Sequence, residues 1–209
     1  MRHCAKVANH AWSYSPTPVN TLMKNFQMDL EEAVRIDAAL TKARPGIATY
    51  KKRLVEEVLG VWRVGSSGRA TCVVPGSRYY SNPFGWQVFF WGMGEVRTDP
   101  VTKEKVALGA QAGEVVAQGP QSTGASMWAW CCAELDRRGY VLYTGTYDSF
   151  VLEVEDNDEA REDAARGLKE VMEREWEELD GMRFPIDLEV GYNLGPYKVE
   201  DNPMGLREV

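Results

Sequence analysis

In Tyr140–Ala160, YVLYTGTYDSFVLEVEDNDEA, two runs rich in β-formers, YVLYT and FVLEVE, meet at the tetrapeptide TYDS. Runs of this composition on either side of a short polar turn predict a β-hairpin with Asp148 near its tip. The stretch that follows, DEAREDAARGLKEVMEREWEELDG, changes period. Ala160, Ala164, Leu168, Val171, Met172 and Trp176 recur at helical spacing and predict one apolar face against a core. Asp and Ser are ordinary turn formers, so Asp148 reads either as a turn residue or as a carboxylate displayed for a metal ion. The hairpin alone leaves both readings open.

Working outward toward the N-terminus, residues 2–14 predict a helix stopped by Ser15, Pro16 and Pro18. VNTLMKNF and DLEEAVRIDAALTKA predict two more helices, the second with Asp29 as N-cap, and a break is expected at Pro45-Gly46. A further helix is expected over IATYKKRLVEEVLGVW. From Val64 to Leu108 the composition turns to Gly, Pro and β-formers. There GWQVFFWGMGEV and KEKVALG flank RTDPVT and predict a long hairpin. Residues 111–138 read as a helix kinked near Gly119-Pro120, and FPIDLEV as a closing strand before an ordered tail around GYNLGPY. The expected class is α+β: a helical N-terminal part, then an antiparallel sheet with flanking helices.

With 209 residues, 44% of them hydrophobic and 26% charged, the chain can bury a sizeable core and has the balance of a globular protein. No apolar run approaches a membrane span, and MRHCAKVANHAWSY lacks the uninterrupted apolar core of a signal peptide. Cys4, Cys72, Cys131 and Cys132 show no C-x-x-C spacing and read as reduced thiols, which points to a cytoplasmic protein without membrane partners. The net charge of −7 is unevenly spread. Residues 1–110 hold 15 Lys and Arg against 9 Asp and Glu, whereas residues 111–209 hold 9 against 22. Such a chain can offer a basic face to phosphate although its total is acidic.

Arg2, Lys6, His10 and Tyr14 fall every four residues and form one stripe along the first helix, about 18 Å long at ~1.5 Å per residue. Two cations, an imidazole and a phenol in a row suit a ligand that is anionic at one end and flat at the other, as a nucleoside triphosphate is. The same pattern also describes a solvated helix face whose apolar side, Val7, Ala8 and Ala11, meets the core.

RHCAKVANHAWSYS resembles motif B of family A DNA polymerases, the nucleotide-binding helix with the pattern R-x-x-x-K-x-x-x-F/Y-x-x-x-Y-G. Arg2, Lys6 and Tyr14 match it; His10 stands where the family has Phe or Tyr, and Ser15 where it has Gly. Further resemblances follow in the family's order. RPGIATYKKRL is similar to its Y-P-G/x-V-x-x-Y stretch, SSGR to T-x-x-G-R, and PQSTGASMW to the Q-G-T-A-A-D-I helix entry. YDSFVLEVEDNDEA is similar to motif C, H-D-E-h-h-x-E-V, and FPIDLEVGYNLGP to the closing V-P-L-x-V-E-x-x-x-G strand. Each motif is short, but together they cover nearly the whole chain in sequence order.

The resemblance implies a fingers portion over 1–62 and a palm portion over 63–209. It implies a template-directed nucleotidyl transfer on primer-template DNA, with dNTPs as substrates. Arg2, Lys6, His10 and Tyr14 then bind the incoming nucleotide, and Lys6 also donates a proton to the departing pyrophosphate. Gln121, Arg69 and Tyr147 contact DNA, and Asp148 becomes a catalytic metal ligand. Two Mg2+ ions about 4 Å apart would stabilise the attacking 3′-oxygen and the leaving group, held by shared carboxylates. His10, in place of the family's ring, could stack on the sugar or hydrogen-bond a 3′-hydroxyl, or be a neutral variant.

Departures from the pattern matter as much. Tyr147 replaces the family's His and Ser149 its Glu, so metal binding at this hairpin rests on Asp148; the Asp-Ser pair is also similar to the H-D-S of single-subunit phage RNA polymerases. The family's motif A, D-Y-S-x-x-E-L-R, is not found in the 209 residues. The expectation is a split, phage-type polymerase acting in a host cytoplasm, inactive alone and completed by a chain that carries motif A. Such a chain is expected to expose an apolar docking surface, for which the seven tryptophans and VFFWGM are candidate material. The competing expectation is a non-catalytic remnant or a nucleic-acid-binding accessory protein.

Overall fold

The computed structural model describes residues 2–91, 95–98, 103, 105–108, 112–146 and 148–209, and within these the protein is α+β. Four helices come first: α1 (Arg2–Tyr14), α2 (Pro18–Phe26), α3 (Leu30–Ala43) and α4 (Pro45–Leu59). Strands β1 (Val61–Val64), β2 (Ala70–Val74), β3 (Tyr79–Ser81), β4 (Gln87–Phe89), β5 (Glu95–Thr98) and β6 (Lys105–Leu108) follow. The long α5 (Ala112–Arg137) leads to β7 (Val141–Thr146), β8 (Ser149–Glu153) and α6 (Asp158–Met172). A single 3-10 turn at Glu177–Leu179 and the short strands β9 (Glu189–Val190) and β10 (Arg207–Glu208) complete the chain. The described strands pair antiparallel two by two, in sequence-adjacent ladders. Packing divides the chain within α5 into two compact units, one through Thr123 and one over Gly124–Val209.

Local chemistry sets the helix ends. Ser15 stops α1; its Oγ takes the Thr17 N–H at 3.1 Å and shares a 2.7 Å hydrogen bond with Thr21. Asp29 caps α3 by accepting from the Glu32 N–H at 2.8 Å, with Glu31 and Glu32 in the first turn where the helix dipole favours them. The break expected at Pro45-Gly46 falls one residue earlier, at Arg44. Proline lacks only an N–H that a first helical turn leaves unused, so Pro45 opens α4 rather than ending α3. Gly60 closes α4 at φ 84°, and a β-carbon there would meet the Val74 carbonyl and the Gly76 backbone, so glycine is required where β1 begins and β2 ends.

In the first unit Trp12, Leu22 and Ala33 are fully buried between α1, α2 and α3. A second apolar group joins Leu54, Val58 and Leu59 of α4 to Phe90 and to Ala112 and Val115 of α5, with Tyr50, Tyr80 and Val88 around it. The long hairpin expected over 85–108 is two hairpins. β4 pairs backward with β3 (Tyr79↔Phe89, Tyr80↔Val88), and only 95–98 and 105–108 pair with each other. The YYS run supplies the β-formers that β4 needs as its partner, and Asn82-Pro-Phe-Gly supplies the turn between them. Gly119 lies against α4, where a β-carbon would overlap the Tyr50 hydroxyl; α5 continues as helix through Pro120.

In the second unit Cys131 and Leu135 of α5 and Ala164 and Val171 of α6 are buried. Asn157 caps α6 by accepting from the Ala160 N–H at 2.8 Å. Gly167 belongs to the buried stripe of α6 because the Tyr140 ring fills the place of its side chain. Trp176 is buried, yet it lies beyond the end of α6 and bridges to Met182 instead of extending the helical face. The closing strand expected over FPIDLEV shrinks to Glu189–Val190, paired with Arg207–Glu208. Pro185 has no N–H to give a ladder, and the Ile186 N–H is taken by Glu173 Oε1 at 3.0 Å. The tail is ordered as expected, with the Tyr192 hydroxyl donating to both Asp156 oxygens and Asn193 bonded to Asn202.

Candidate functional site

Helix α1 is fastened through one face and displays the other. The Trp12 indole donates to Asp37 Oδ1 on α3 at 2.7 Å, and Lys51 Nζ on α4 donates to the Trp12 carbonyl at 2.8 Å. The same ammonium stands 4.0 Å from the centre of the Trp12 ring, a cation–π contact in a buried setting. Burial lowers the Lys51 pKa, and the nearby Asp37 charge opposes that shift. Arg44 adds a hydrogen bond to Asn9 Oδ1 at 2.7 Å. These contacts tie residues 25 to 39 positions apart, and no local pattern in the sequence announces them.

The displayed face carries Lys6 and His10, both exposed, and the half-buried Tyr14. His10 and Tyr14, one turn apart, meet edge to face with ring centroids 4.6 Å apart. Arg2 shares the helix, and its side chain lies outside the described residues. At the C-terminal end of the stripe an open cavity of about 460 Å³ is lined by Tyr14, Thr17, Thr21, Asn25 and Glu114. A cation, an imidazole and a phenol therefore stand on one rigid helix face, beside a space able to take a small molecule.

Asp148 belongs to the second unit. It is exposed at the two-residue tip between β7 and β8, and Tyr147, the other tip residue, lies outside the described residues. Among the described residues nothing hydrogen-bonds the Asp148 carboxylate. The closing pair of the hairpin is Thr146↔Ser149, whose hydroxyls share a 2.7 Å hydrogen bond. One pair further in, Gly145 faces Phe150, and Trp128 of α5 stacks on that ring at 5.6 Å with planes 12° apart. A β-carbon on Gly145 would come within 2.9 Å of the Trp128 ring. Glycine at this pair lets the indole lie on the strand, so the tip is braced from behind.

Arg69 is exposed at the end of the tight β1–β2 turn, where its carbonyl accepts the Gly65 N–H at 2.9 Å. Gln121 is exposed on α5 directly after Pro120. Both lie on elements other than α1, whereas Lys6, His10 and Tyr14 share that one helix. Among the described residues no group of three His, Cys, Asp or Glu gathers as a metal site.

Two further clusters escaped the sequence reading. Arg174 lies over both Trp130 and Trp176, 4.2 and 4.4 Å from the centres of two rings that meet edge to face at 5.4 Å, and also pairs with Glu178 at 3.1 Å. Alternate tryptophans in SMWAWC are the one signal that could have hinted at it. Next to this cluster, burial and then the neighbouring Cys132 push the Cys131 thiol up to about 11, so it stays protonated and inert. Tyr50, hydrogen-bonded to Tyr80, is likewise pushed up to about 12, chiefly by burial. Cys72, Cys131 and Cys132 are free, and among the described residues no helix is long and apolar enough to cross a membrane. No protein-family model, curated protein or solved structure matches the chain.

Proposed function

We propose that the chain is the nucleotide- and metal-binding part of a template-directed DNA polymerase of the family A type, completed by a second chain that carries motif A. The observation that carries the reading is a correspondence of chemistry with position. The Arg2-Lys6-His10-Tyr14 stripe lies along one helix with its opposite face bolted down, and Asp148 stands at the tip of a braced hairpin. The remaining resembling motifs follow in order between and after them.

In this reading α1 receives the incoming dNTP. Arg2 and Lys6 neutralise its phosphates, and Lys6 supplies the proton that the departing pyrophosphate takes up. His10 and Tyr14, already in contact, give the sugar and base an aromatic surface. Arg69, Gln121 and Tyr147 are assigned to the primer-template. Asp148 suits Mg2+ as an exposed carboxylate, a hard oxygen donor on a stiff turn. When bound, the metal pair would stabilise negative charge on the attacking and leaving oxygens. One carboxylate cannot hold two ions, and Ser149 offers only a hydroxyl already shared with Thr146. Hence the need for motif A from elsewhere.

That same hydroxyl pairing favours a second reading, a non-catalytic remnant or accessory protein that has kept the hairpin and lost a ligand. Affinity purification of the tagged chain from its native setting, with mass spectrometry, separates the two. A stoichiometric partner containing D-Y-S-x-x-E-L-R, with Mg2+-dependent primer extension by the pair, supports the polymerase. Finding no such partner supports the remnant. Nucleotide incorporation by the purified chain alone would overturn the split arrangement.

A further inference from the structure

We infer that the β3–β4 hairpin of the first unit is a stacking platform for single-stranded nucleic acid. The inference goes beyond the polymerase reading and does not rest on α1 or Asp148. Absence of nucleotide incorporation leaves it standing, and loss of strand binding leaves the nucleotide chemistry standing.

The hairpin has two unlike faces. Tyr80 and Val88, directly opposite each other, pack with Phe90 against Leu54, Val58 and Val115. The alternate positions, Tyr79 and Ser81 on one strand and Gln87 and Phe89 on the other, face solvent. On that side Tyr79 and Phe89 pair with ring centroids 5.8 Å apart. Exposure reaches 39% for Tyr79, 55% for Phe89, 67% for Trp91 and 70% for Trp86. Tyr79, Phe89 and Trp86, three large exposed rings on one short hairpin, carry a hydration cost that folding alone does not require.

The turn that carries Trp86 is rigid. Asn82 is buried, and its Oδ1 accepts the N–H groups of Phe84 and Trp86, each at 3.0 Å. Its Nδ2 donates to the Ser122 carbonyl of α5 at 3.1 Å, and its own N–H goes to the Trp86 carbonyl at 2.9 Å. The indole is therefore held outward by a fixed turn, beside an open cleft of about 320 Å³ lined by Phe84, Gly85, Trp86 and Gln87. A ring presented this way loses little conformational freedom when it stacks.

Charge selects the occupant. Residues 58–94 contain no Asp or Glu and three arginines, Arg63, Arg69 and Arg78, in a chain that is otherwise acidic. Arg78 directly precedes Tyr79 and is held by its N–H to the Val58 carbonyl at 2.9 Å. Glu57, whose carbonyl takes the Ser77 N–H, has its carboxylate paired with Arg53 at 3.3 Å. Exposed rings in a segment that holds arginines and no carboxylate, with Ser81 and Gln87 able to hydrogen-bond base edges, match an unpaired strand: bases stack, phosphates meet arginine. A duplex hides its base faces and cannot use the rings.

The test is fluorescence anisotropy of the full chain with labelled oligothymidylate and oligouridylate, which separate DNA from RNA, and with a duplex of equal length. Single strands are expected to bind more tightly than duplex, more weakly as salt rises, and about tenfold more weakly to Trp86→Ala and to Phe89→Ala. Tyr143→Ala, an exposed ring on β7, serves as the control and should bind as wild type does. Trp86→Leu and Phe89→Leu keep apolar bulk without the ring and replace any alanine variant that fails to fold. No binding of single strands, equal binding of duplex, or no effect of either substitution overturns the inference. So does concentration-dependent self-association in sedimentation that the same substitutions abolish, which would make the face a protein contact.

Discussion

Replacing Gly167 by alanine should destabilise the second unit, against the ordinary preference of a helix. Gly167 lies inside α6, where glycine is roughly 1 kcal/mol worse than alanine, so propensity alone predicts a gain of that size. Opposing it is the Tyr140 ring, with three atoms (Oη, Cζ and Cε2) where the new β-carbon would stand. The hydroxyl of that ring donates to the Asp163 carbonyl at 3.2 Å and to its carboxylate at 3.1 Å, which fixes the ring against α6. Forcing a methyl into such a contact costs about 1–3 kcal/mol, and displacing the hydroxyl gives up about 1 kcal/mol more. The net expectation is a loss of about 1–3 kcal/mol. At an m-value of about 1–3 kcal/mol/M, that lowers the urea midpoint by about 1 M. Tyr140→Leu should remove the obstacle, so Gly167→Ala in that background becomes neutral or stabilising, a coupling of about 2 kcal/mol. Far-UV circular dichroism in urea reads all four proteins. A Gly167→Ala variant as stable as wild type, or more so, would refute the packing argument and with it the account of how α6 is held at the base of the β7–β8 hairpin.

Asp148→Ala should leave stability within ~0.5 kcal/mol, since the side chain is exposed, while reducing primer extension by the completed enzyme to background; equilibrium unfolding and extension assays check the two halves. Hydrogen bonds from Arg137 and Arg138 hold the Glu134 carboxyl down at about 2. The unfolded chain therefore binds the proton first, and this contribution, present above the ordinary carboxyl range, is lost as pH falls toward 2. Glu134→Gln should flatten the acid limb of a stability–pH curve between pH 2 and 4.5. Lys51 gives a slope of the same sign in another range: with its pKa lowered by burial, the native state releases the proton before the unfolded chain does, so stability rises with pH on the alkaline side below 10.5. Tyr50, raised to about 12, pulls stability down above pH 10, and Lys51→Met should leave only that fall while costing about 1 kcal/mol at neutral pH through the lost bond to Trp12.

What the sequence made legible was local. The Asp29 cap, the stop at Ser15, the TYDS turn and the helix after it follow from residues within four positions of one another. Pro45 was misread because a proline marks either side of a helix boundary, and only the side on which the N–H is dispensable distinguishes them. The pairing of β4 with β3 instead of β5 was hidden for a related reason. Periodicity identifies a strand but not its neighbour, and YYS is too short to stand out. Gly167 and Gly145 each leave room for a ring from elsewhere in the chain, which local pattern does not announce. At the candidate site the stripe on α1 was readable from spacing. The Asp37-Trp12-Lys51 fastening behind it was not, because it joins three helices through residues with no shared pattern.

The division of charge constrains where this chain could meet phosphate. In the second unit Arg137, Arg138, Arg161, Arg166, Arg174 and Arg183 are each engaged by a carboxylate, Arg138 by both Glu134 and Glu170. Recruiting any of them for nucleic acid would mean breaking an ion pair within a strongly acidic segment, so the counterion release that drives such binding would be small there. The first unit holds the opposite balance, with Lys6 exposed on α1 and Arg63, Arg69 and Arg78 in a stretch without carboxylates. In the polymerase proposed above, the cationic contacts to strand and triphosphate would therefore come from the first unit. The net negative charge of the second unit suits a different ligand, since a field that repels phosphate attracts divalent cations. In the proposed nucleotidyl transfer, a metal or a partner's positive charge would have to be in place before a phosphate approaches Asp148, which would make the order of assembly part of the chemistry.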